Sequence, residues 1–226
     1  MRNRKFVAKF IAISAVAIAI LAFNWDRVEM ENRAFVIALG VEAGEDEAFK
    51  VALSVIDPTA LEEGEETPKI LYEAEGKTLE KAMEQVGKEM SDTVYYGHTK
   101  AIIIGEDILS NSEKLWKAVD TLAHNNDINI RTIVMTTSQP VGEVLQTPPK
   151  NGNLLGLYLV NYYDNNPEEP KMSLETLISD LRQRTLPKVP KIAIEDDEIH
   201  ITAPDAENGI GGLFLLRATV YIFGRK

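Results

Sequence analysis

The segment "AFVIALGVEAGEDEAFKVALSVID", residues 34–57, decides how the chain folds. Ala34 to Glu42 and Phe49 to Asp57 alternate apolar and polar positions, with "AGEDE" between them. Phe35, Ile37, Leu39 and Val41 share one face of the first segment, and Phe49, Val51, Leu53 and Val55 one face of the second. A period of two around a Gly-acidic turn predicts an antiparallel hairpin with one buried face.

Outward from the hairpin, the C-terminal side continues as mixed sheet and helix. The acidic stretch 58–69, "PTALEEGEETPK", lacks the Asp/Asn ladder and closing Glu of a calcium loop and reads as a solvated loop. "ILYEAEG" is a third strand ending at Gly76. A helix capped by Thr78 follows to about Asp92, with Leu79, Ala82, Met83, Val86 and Met90 in one stripe and Glu80 in the first turn. "HTKAIIIGED" gives a strand whose Ala101–Ile104 run is apolar without alternation, as in a strand buried on both faces. Ser112 is placed as cap of a second helix with the stripe Leu115, Trp116, Val119, Leu122 and Ala123. "NND" at 125–127 turns the chain into a strand, "INIRTIVMTT", and Pro140 opens a short helix through Leu145.

"QTPPKNGN", residues 146–153, punctuates this order and places a boundary: an α+β domain over 25–147 and a second, smaller α+β domain over 148–226. The second holds helices at Leu154 to Tyr163 and Ser173 to Gln183. Strands follow at Lys191 to Glu195, Glu198 to Thr202 and Leu213 to Phe223. Since the chain stops soon after its longest strand, this second domain is expected to be incomplete at its C-terminal end.

Toward the N-terminus the hairpin is preceded by a different kind of sequence. "FIAISAVAIAILAFNW", Phe10 to Trp25, holds no charged residue and follows the basic "MRNRKFVAK". This is the n-region and h-region of a secretory signal. Sixteen helical residues span about 24 Å, short of a hydrocarbon core of roughly 30 Å. Including Phe6 to Ala8, with Lys9 snorkelling to the interface, brings the span to about 30 Å and leaves Trp25 at the far interface. Small-x-small cleavage patterns are poor, so residues 1–24 read as a signal/anchor helix, retained in preference to cleaved; either way the basic flank stays in the cytoplasm and the body is exported.

Charge supports that division. Of 24 basic and 35 acidic side chains, Arg2, Arg4, Lys5 and Lys9 precede the first acid, Asp26. The remainder carries a formal −15, which as a whole repels phosphate backbones and anionic lipid head groups, so no nucleic acid is expected as a partner. The absence of cysteine excludes disulfides, thiolate metal sites, a Cys nucleophile and thioether-linked lipid.

No chemistry-bearing motif emerges. His98, His124 and His200 are far apart and outside any ligand spacing. There is no G-x-S-x-G elbow, S-x-x-K motif or phosphate loop. Paired acids such as Glu168-Glu169 and Asp196-Asp197 carry no information in so acidic a chain. No catalytic, metal or cofactor residues are assigned, and a non-enzymatic protein is expected.

Several stretches together resemble the Ger(x)C family, the C subunits of bacterial spore germinant receptors. Trp25-Asp26-x-x-Glu29 running into Ala34-Phe35-Val36 and "ALGVE" is similar to the start of the mature family members. "EGKTLEKAMEQV" looks like the family's glycine-threonine approach to a helix, and "YYGHTKAIIIGEDI" like its buried strand and glycine-acid turn. "NNDINIRTIVMTTSQPVGEVL", "TLPKVPKI" and "ATVYIFGRK" fit later parts of the pattern. The likeness runs from about Trp25 to the last residue.

Family members are usually lipoproteins acylated on a cysteine directly before Trp-Asp; that position here is Asn24, so the resemblance implies no lipidation and leaves anchoring to the apolar helix. The resemblance also implies a third domain, expected to begin where this sequence ends. The resemblance implies a nutrient-receptor subunit required for spore germination, on the extracytoplasmic side of the endospore inner membrane. Its implied partners are a transporter-like membrane subunit, a second membrane subunit with a soluble domain, and the lipid bilayer. Trp25, Asp26 and Glu29 are the candidate membrane-junction residues. The alternative class is a membrane-tethered solute-binding or sensor domain unrelated to sporulation, which requires a polar-lined pocket between the two domains.

Overall fold

The computed structural model describes residues 33–56, 69–90, 92–150 and 154–204. All of these except Arg33 belong to one compact unit, Ala34–Lys226. The anchor at 1–24, the junction residues Trp25, Asp26 and Glu29, most of the acidic stretch 58–69 and the strand expected at Leu213–Phe223 lie outside the described residues.

The expected hairpin is present as β1 (Arg33–Ala43) and β2 (Phe49–Ile56), antiparallel, with Leu39 opposite Leu53 and Val41 opposite Val51. The turn holds Asp46 and Glu47 at φ 47° and 63°, left-handed values that short acidic side chains adopt more readily than branched ones. One detail differs from simple alternation. The register shifts between Val36 and Ala38, so Ile37 is an extra residue in β1. A bulge of one residue reverses the side-chain parity of everything before it. Ala34 and Val36 therefore join Leu39 and Val41 in one core, while Phe35, expected on that face, packs against Tyr95 and His98.

The other strands are β3 (Lys69–Gly76), β4 (Thr93–Tyr95), β5 (Ala101–Gly105), β6 (Ile133–Thr137), β7 (Lys191–Glu195) and β8 (Glu198–Thr202). They form one mixed sheet in the order β3-β2-β1-β5-β6-β7-β8, with β4 also paired to β1. β1, β5, β6 and β7 are parallel to their neighbours in the centre, and an antiparallel hairpin closes each side. Central parallel strands are covered on both faces, which is why Ala101–Ile104 could be apolar throughout; all four are fully buried.

The α-helices are α1 (Leu79–Glu89), α2 (Glu106–Leu109), α3 (Ser112–His124), α4 (Val141–Gln146), α5 (Leu155–Asn165) and α6 (Leu174–Gln183), and short 3-10 turns stand at Glu45–Glu47 and Tyr96–His98. The side chains of α1, α2, α3 and α6 pack with Leu39, Val41, Phe49, Val51, Leu53 and Val55 on one face of the sheet. Those of α4 and α5 pack with Ala38, Ile103, Met135 and Ile192 on the other. The fold is α+β, with helices on both faces of one sheet.

Helix starts follow side-chain acceptors. Thr78 Oγ1 accepts the Lys81 N–H at 3.2 Å, as expected, and Ser173 Oγ accepts the Thr176 N–H at 3.1 Å. For α3 the cap is Asn111 and not Ser112: its Oδ1 accepts the N–H groups of Glu113 and Lys114 at 3.2 and 3.1 Å. On that helix Leu115, Ala118, Val119 and Leu122 are buried, whereas Trp116, expected in the stripe, is 36% exposed. The strand expected from Ile128 begins only at Ile133. Asn125 and Asn129 tie the preceding residues into turns by accepting the N–H groups of Asp127 and Arg131.

The turn-rich backbone around 147–150 does not separate two sheets. β7 meets β6 at Lys191 opposite Thr136, and Thr136 donates its N–H to Pro190 O at 2.9 Å. Ile192 and Ile199 thereby complete the layer under α4 and α5, so the described parts of 25–147 and 148–226 share one sheet. Among the described residues no helix is long and apolar enough to cross a membrane.

Candidate functional site

The polar groups that could form a site gather at two places. The first lies beyond the carboxyl ends of β1, β5 and β6, where open α/β sheets commonly bind ligands. A groove of about 640 Å³ is lined there by Glu42, Lys50, Glu75, Glu106, Asp107 and Gln139, among others. Three of its carboxylates, those of Glu42, Glu106 and Asp107, are committed to the fold. Glu42 holds Lys50 at 3.1 Å and accepts the N–H of Val141 at 2.9 Å. Asp107 accepts the N–H groups of Ala43 and Ile108, both at 2.7 Å. Glu106 pairs with Lys191 at 2.7 Å.

Lys50 also reaches Glu73 at 3.0 Å. Burial disfavours its ammonium, but the hydrogen bonds and charges of Glu73 and Glu42 outweigh that and raise its pKa above the usual lysine value. A lysine so held is a strut between β1, β2 and β3, not a proton donor near neutral pH.

The second place is a groove of about 800 Å³ between α1, β4 and the last turn of α3. Met83, Met90 and Val94 contribute apolar surface, and Glu80, Glu84, Asp120 and His124 polar surface. Glu84 is bridged by Lys81 and Lys88, and His124 Nδ1 lies 2.8 Å from Asp120 O. Tyr96 forms part of the wall; its hydroxyl is buried without a hydrogen-bond partner, and burial pushes its pKa up to about 12.

The structure keeps the three histidines apart. His98 packs with Phe35 and Tyr95 at ring-centroid distances of 5.0 and 5.6 Å, His124 ends α3, and His200 is exposed on β8 opposite Ala193. Among the described residues no group of three or more His, Asp or Glu is placed to hold a metal ion. In the second groove His124 Nδ1 also lies 3.4 Å from Asp120 Oδ1, and both grooves offer polar surface for contact. Sequence reasoning missed the two grooves, because their residues come from segments well separated in the chain, such as Lys50 and Glu75 or Tyr96 and Asp120; only Gly105-Glu106-Asp107, in the glycine-acid turn, signalled one of them.

The resembling motifs acquire physical reasons in this fold. A Cβ on Gly76 would run into the first turn of α1, 2.8 Å from Lys81 C and closer to Ala82 N, so only glycine permits the approach to Thr78. The acid of the glycine-acid turn, Asp107, stitches β5 to the end of β1. The asparagines of the polar turn set where β6 starts.

The scaffold is thus a mixed sheet with helices on both faces and two open grooves. Comparison with known proteins gives its kind. The family model for the spore germination protein N-terminal domain matches residues 26–194, well over half of the chain. The chain belongs to this family, the Ger(x)C family of spore germination proteins. It is also similar to spore germination protein KC of Bacillus subtilis (strain 168), 25% identical over 124 residues, covering 52% of this chain and 30% of that protein. No solved structure matches the chain.

Proposed function

We propose that this protein is a non-enzymatic, membrane-tethered C subunit of a spore germinant receptor, required for nutrient-triggered germination. The family match over residues 26–194 carries the reading. The uncharged run Phe10–Trp25 behind a basic flank supports a tether to the endospore inner membrane with the body on the extracytoplasmic side. With Asn24 where relatives have the acylated cysteine, that run replaces the lipid, and a spanning helix holds a bilayer at least as firmly as acyl chains. Trp25, Asp26 and Glu29 are the proposed junction.

The commitment of Glu42, Glu106 and Asp107 to internal bonds supports a role through contact. The domain presents a fixed surface to a transporter-like membrane subunit and a second membrane subunit, and biases their conformational equilibrium through differential affinity. Deletion of the coding sequence, followed by nutrient-triggered germination of purified spores, tests the proposal. Loss of the response, restored by complementation, is expected; normal germination without sporulation-stage expression overturns it.

A further inference from the structure

The two ends of the sheet are chemically unlike. At the carboxyl ends of the parallel strands, the β1–β2 turn exposes Glu45, Asp46 and Glu47, and the β7–β8 turn exposes Glu195, Asp196 and Asp197. The opposite end, where β1, β5 and β6 begin, is balanced in charge. Lys88, Lys100 and Arg131 stand there against Glu89, Asp127 and Glu175, all exposed. It also carries apolar surface that the opposite turns lack. Ile130 is 46% exposed in the turn before β6. Phe35, Tyr95 and His98 form a partly accessible ring cluster, with centroids 5.0 to 6.0 Å apart.

The balanced end is where the chain enters the sheet, at Arg33. Seven residues, 26–32, separate it from the uncharged run ending at Trp25. Fully extended, that connector reaches roughly 28 Å. A domain on so short a leash stays near the surface that holds the run, and its charge asymmetry decides which way it tips. An anionic surface repels the six-acid end and tolerates the balanced one. Amphipathic rings and an exposed isoleucine suit the headgroup region, where Tyr-type side chains are enriched, and each Lys or Arg near an anionic surface adds about a fivefold preference.

We infer that the end of the sheet bearing Phe35, Tyr95, His98, Lys100, Ile130 and Arg131 rests on the anionic lipid headgroups of the membrane that tethers the chain, with the acidic turns pointing away. This rests on the tethered reading above and adds a lipid-contacting face to it. Receptor subunits then meet the flanks and the acidic end, including the groove beside Glu42 and Lys50.

Because the natural chain has no cysteine, single variants Ile130→Cys and Glu45→Cys each carry one environment-sensitive fluorophore at an exposed position. The full chain is reconstituted in phosphatidylcholine vesicles containing phosphatidylglycerol, with lipids spin-labelled at the headgroup as quencher. The probe at 130 is expected to be quenched severalfold more than that at 45. Adding Lys100→Gln and Arg131→Gln is expected to shift the docked-to-undocked ratio by about fivefold per charge removed. Equal quenching at 130 and 45, in chains that float with the vesicles, overturns the lipid-contacting face alone. Chains that do not float with the vesicles overturn the tether and this inference with it.

Discussion

Glu42, at the end of β1, accepts the backbone N–H of Val141 at 2.9 Å across 99 positions of sequence, and so fixes the start of α4 over the sheet. The same side chain holds Lys50 at 3.1 Å. Glu42→Ala removes both bonds and leaves a partly buried N–H without an acceptor, at a cost of about 2 kcal/mol. Glu42→Gln keeps an acceptor for Val141 but loses the charge facing Lys50, and its cost is expected to be under half of that. Urea unfolding of the two variants beside the parent measures both; equal losses would mean that the ion pair alone matters.

The cap of α3 gives a direct contrast. Asn111→Ala should lower stability by about 1 kcal/mol, because two N–H groups of the first turn lose their shared acceptor. Ser112→Ala should change it by only a few tenths, since no cap bond runs through that hydroxyl. Thermal unfolding ranks the two; the reverse order would restore Ser112 as the cap.

Tyr96 supplies a pH-dependent test. Its phenol ionises at about 12 in the folded protein and near 10 when unfolded, owing to burial. A folded-state value above the unfolded one gives stability that is complete below pH 10 and declines as pH rises through 12. Tyr96→Phe removes a buried hydroxyl with no partner, so it should be neutral or stabilising by up to about 1 kcal/mol near neutral pH. It should also make the stability loss between pH 10 and 12 shallower. Part of the loss will persist, because Tyr163 is also pushed up to about 12. Denaturant midpoints across that range are the measurement.

Two glycines around α1 should respond in opposite directions. Gly76→Ala drives a Cβ into backbone atoms of the first turn and should cost about 1–3 kcal/mol. Gly87 lies inside the helix, where a Cβ would meet only Val94 Cγ2 at 3.7 Å, so Gly87→Ala should stabilise by about 0.5–1 kcal/mol. Circular dichroism melts of both variants decide this pair.

Much of the scaffold was legible because it follows local periodicity. Phe49, Val51, Leu53 and Val55 share a buried face as alternation requires, and Leu79, Ala82, Met83 and Val86 form the buried stripe of α1, with Met90 buried just past its end. Phe35 was misplaced because one extra residue at Ile37 reverses parity, and no local composition marks a bulge between apolar neighbours. The expected division near residue 148 rested on Pro and Gly punctuation, which reports a break in regular backbone but not where the next strand pairs. The grooves were illegible for a related reason: Glu42, Lys50, Asp107 and Gln139 meet only through the order of the strands. Trp25, Asp26 and Glu29 lie outside the described residues, and their role stays a proposal.

Among the described residues β1 is the first strand in chain order, yet it sits in the interior of the sheet, between β2 and β5. Its left neighbour arrives within a few residues, but its right neighbour begins only at Ala101. Until then the nascent polypeptide exposes a raw, half-paired ladder beside a newly closed hairpin. Distant pairings of this kind slow folding and leave edges open to foreign strands. β4, which also pairs with β1, follows β2 and β3 and precedes β5 by only a few residues, so the open ladder persists until synthesis has passed all three.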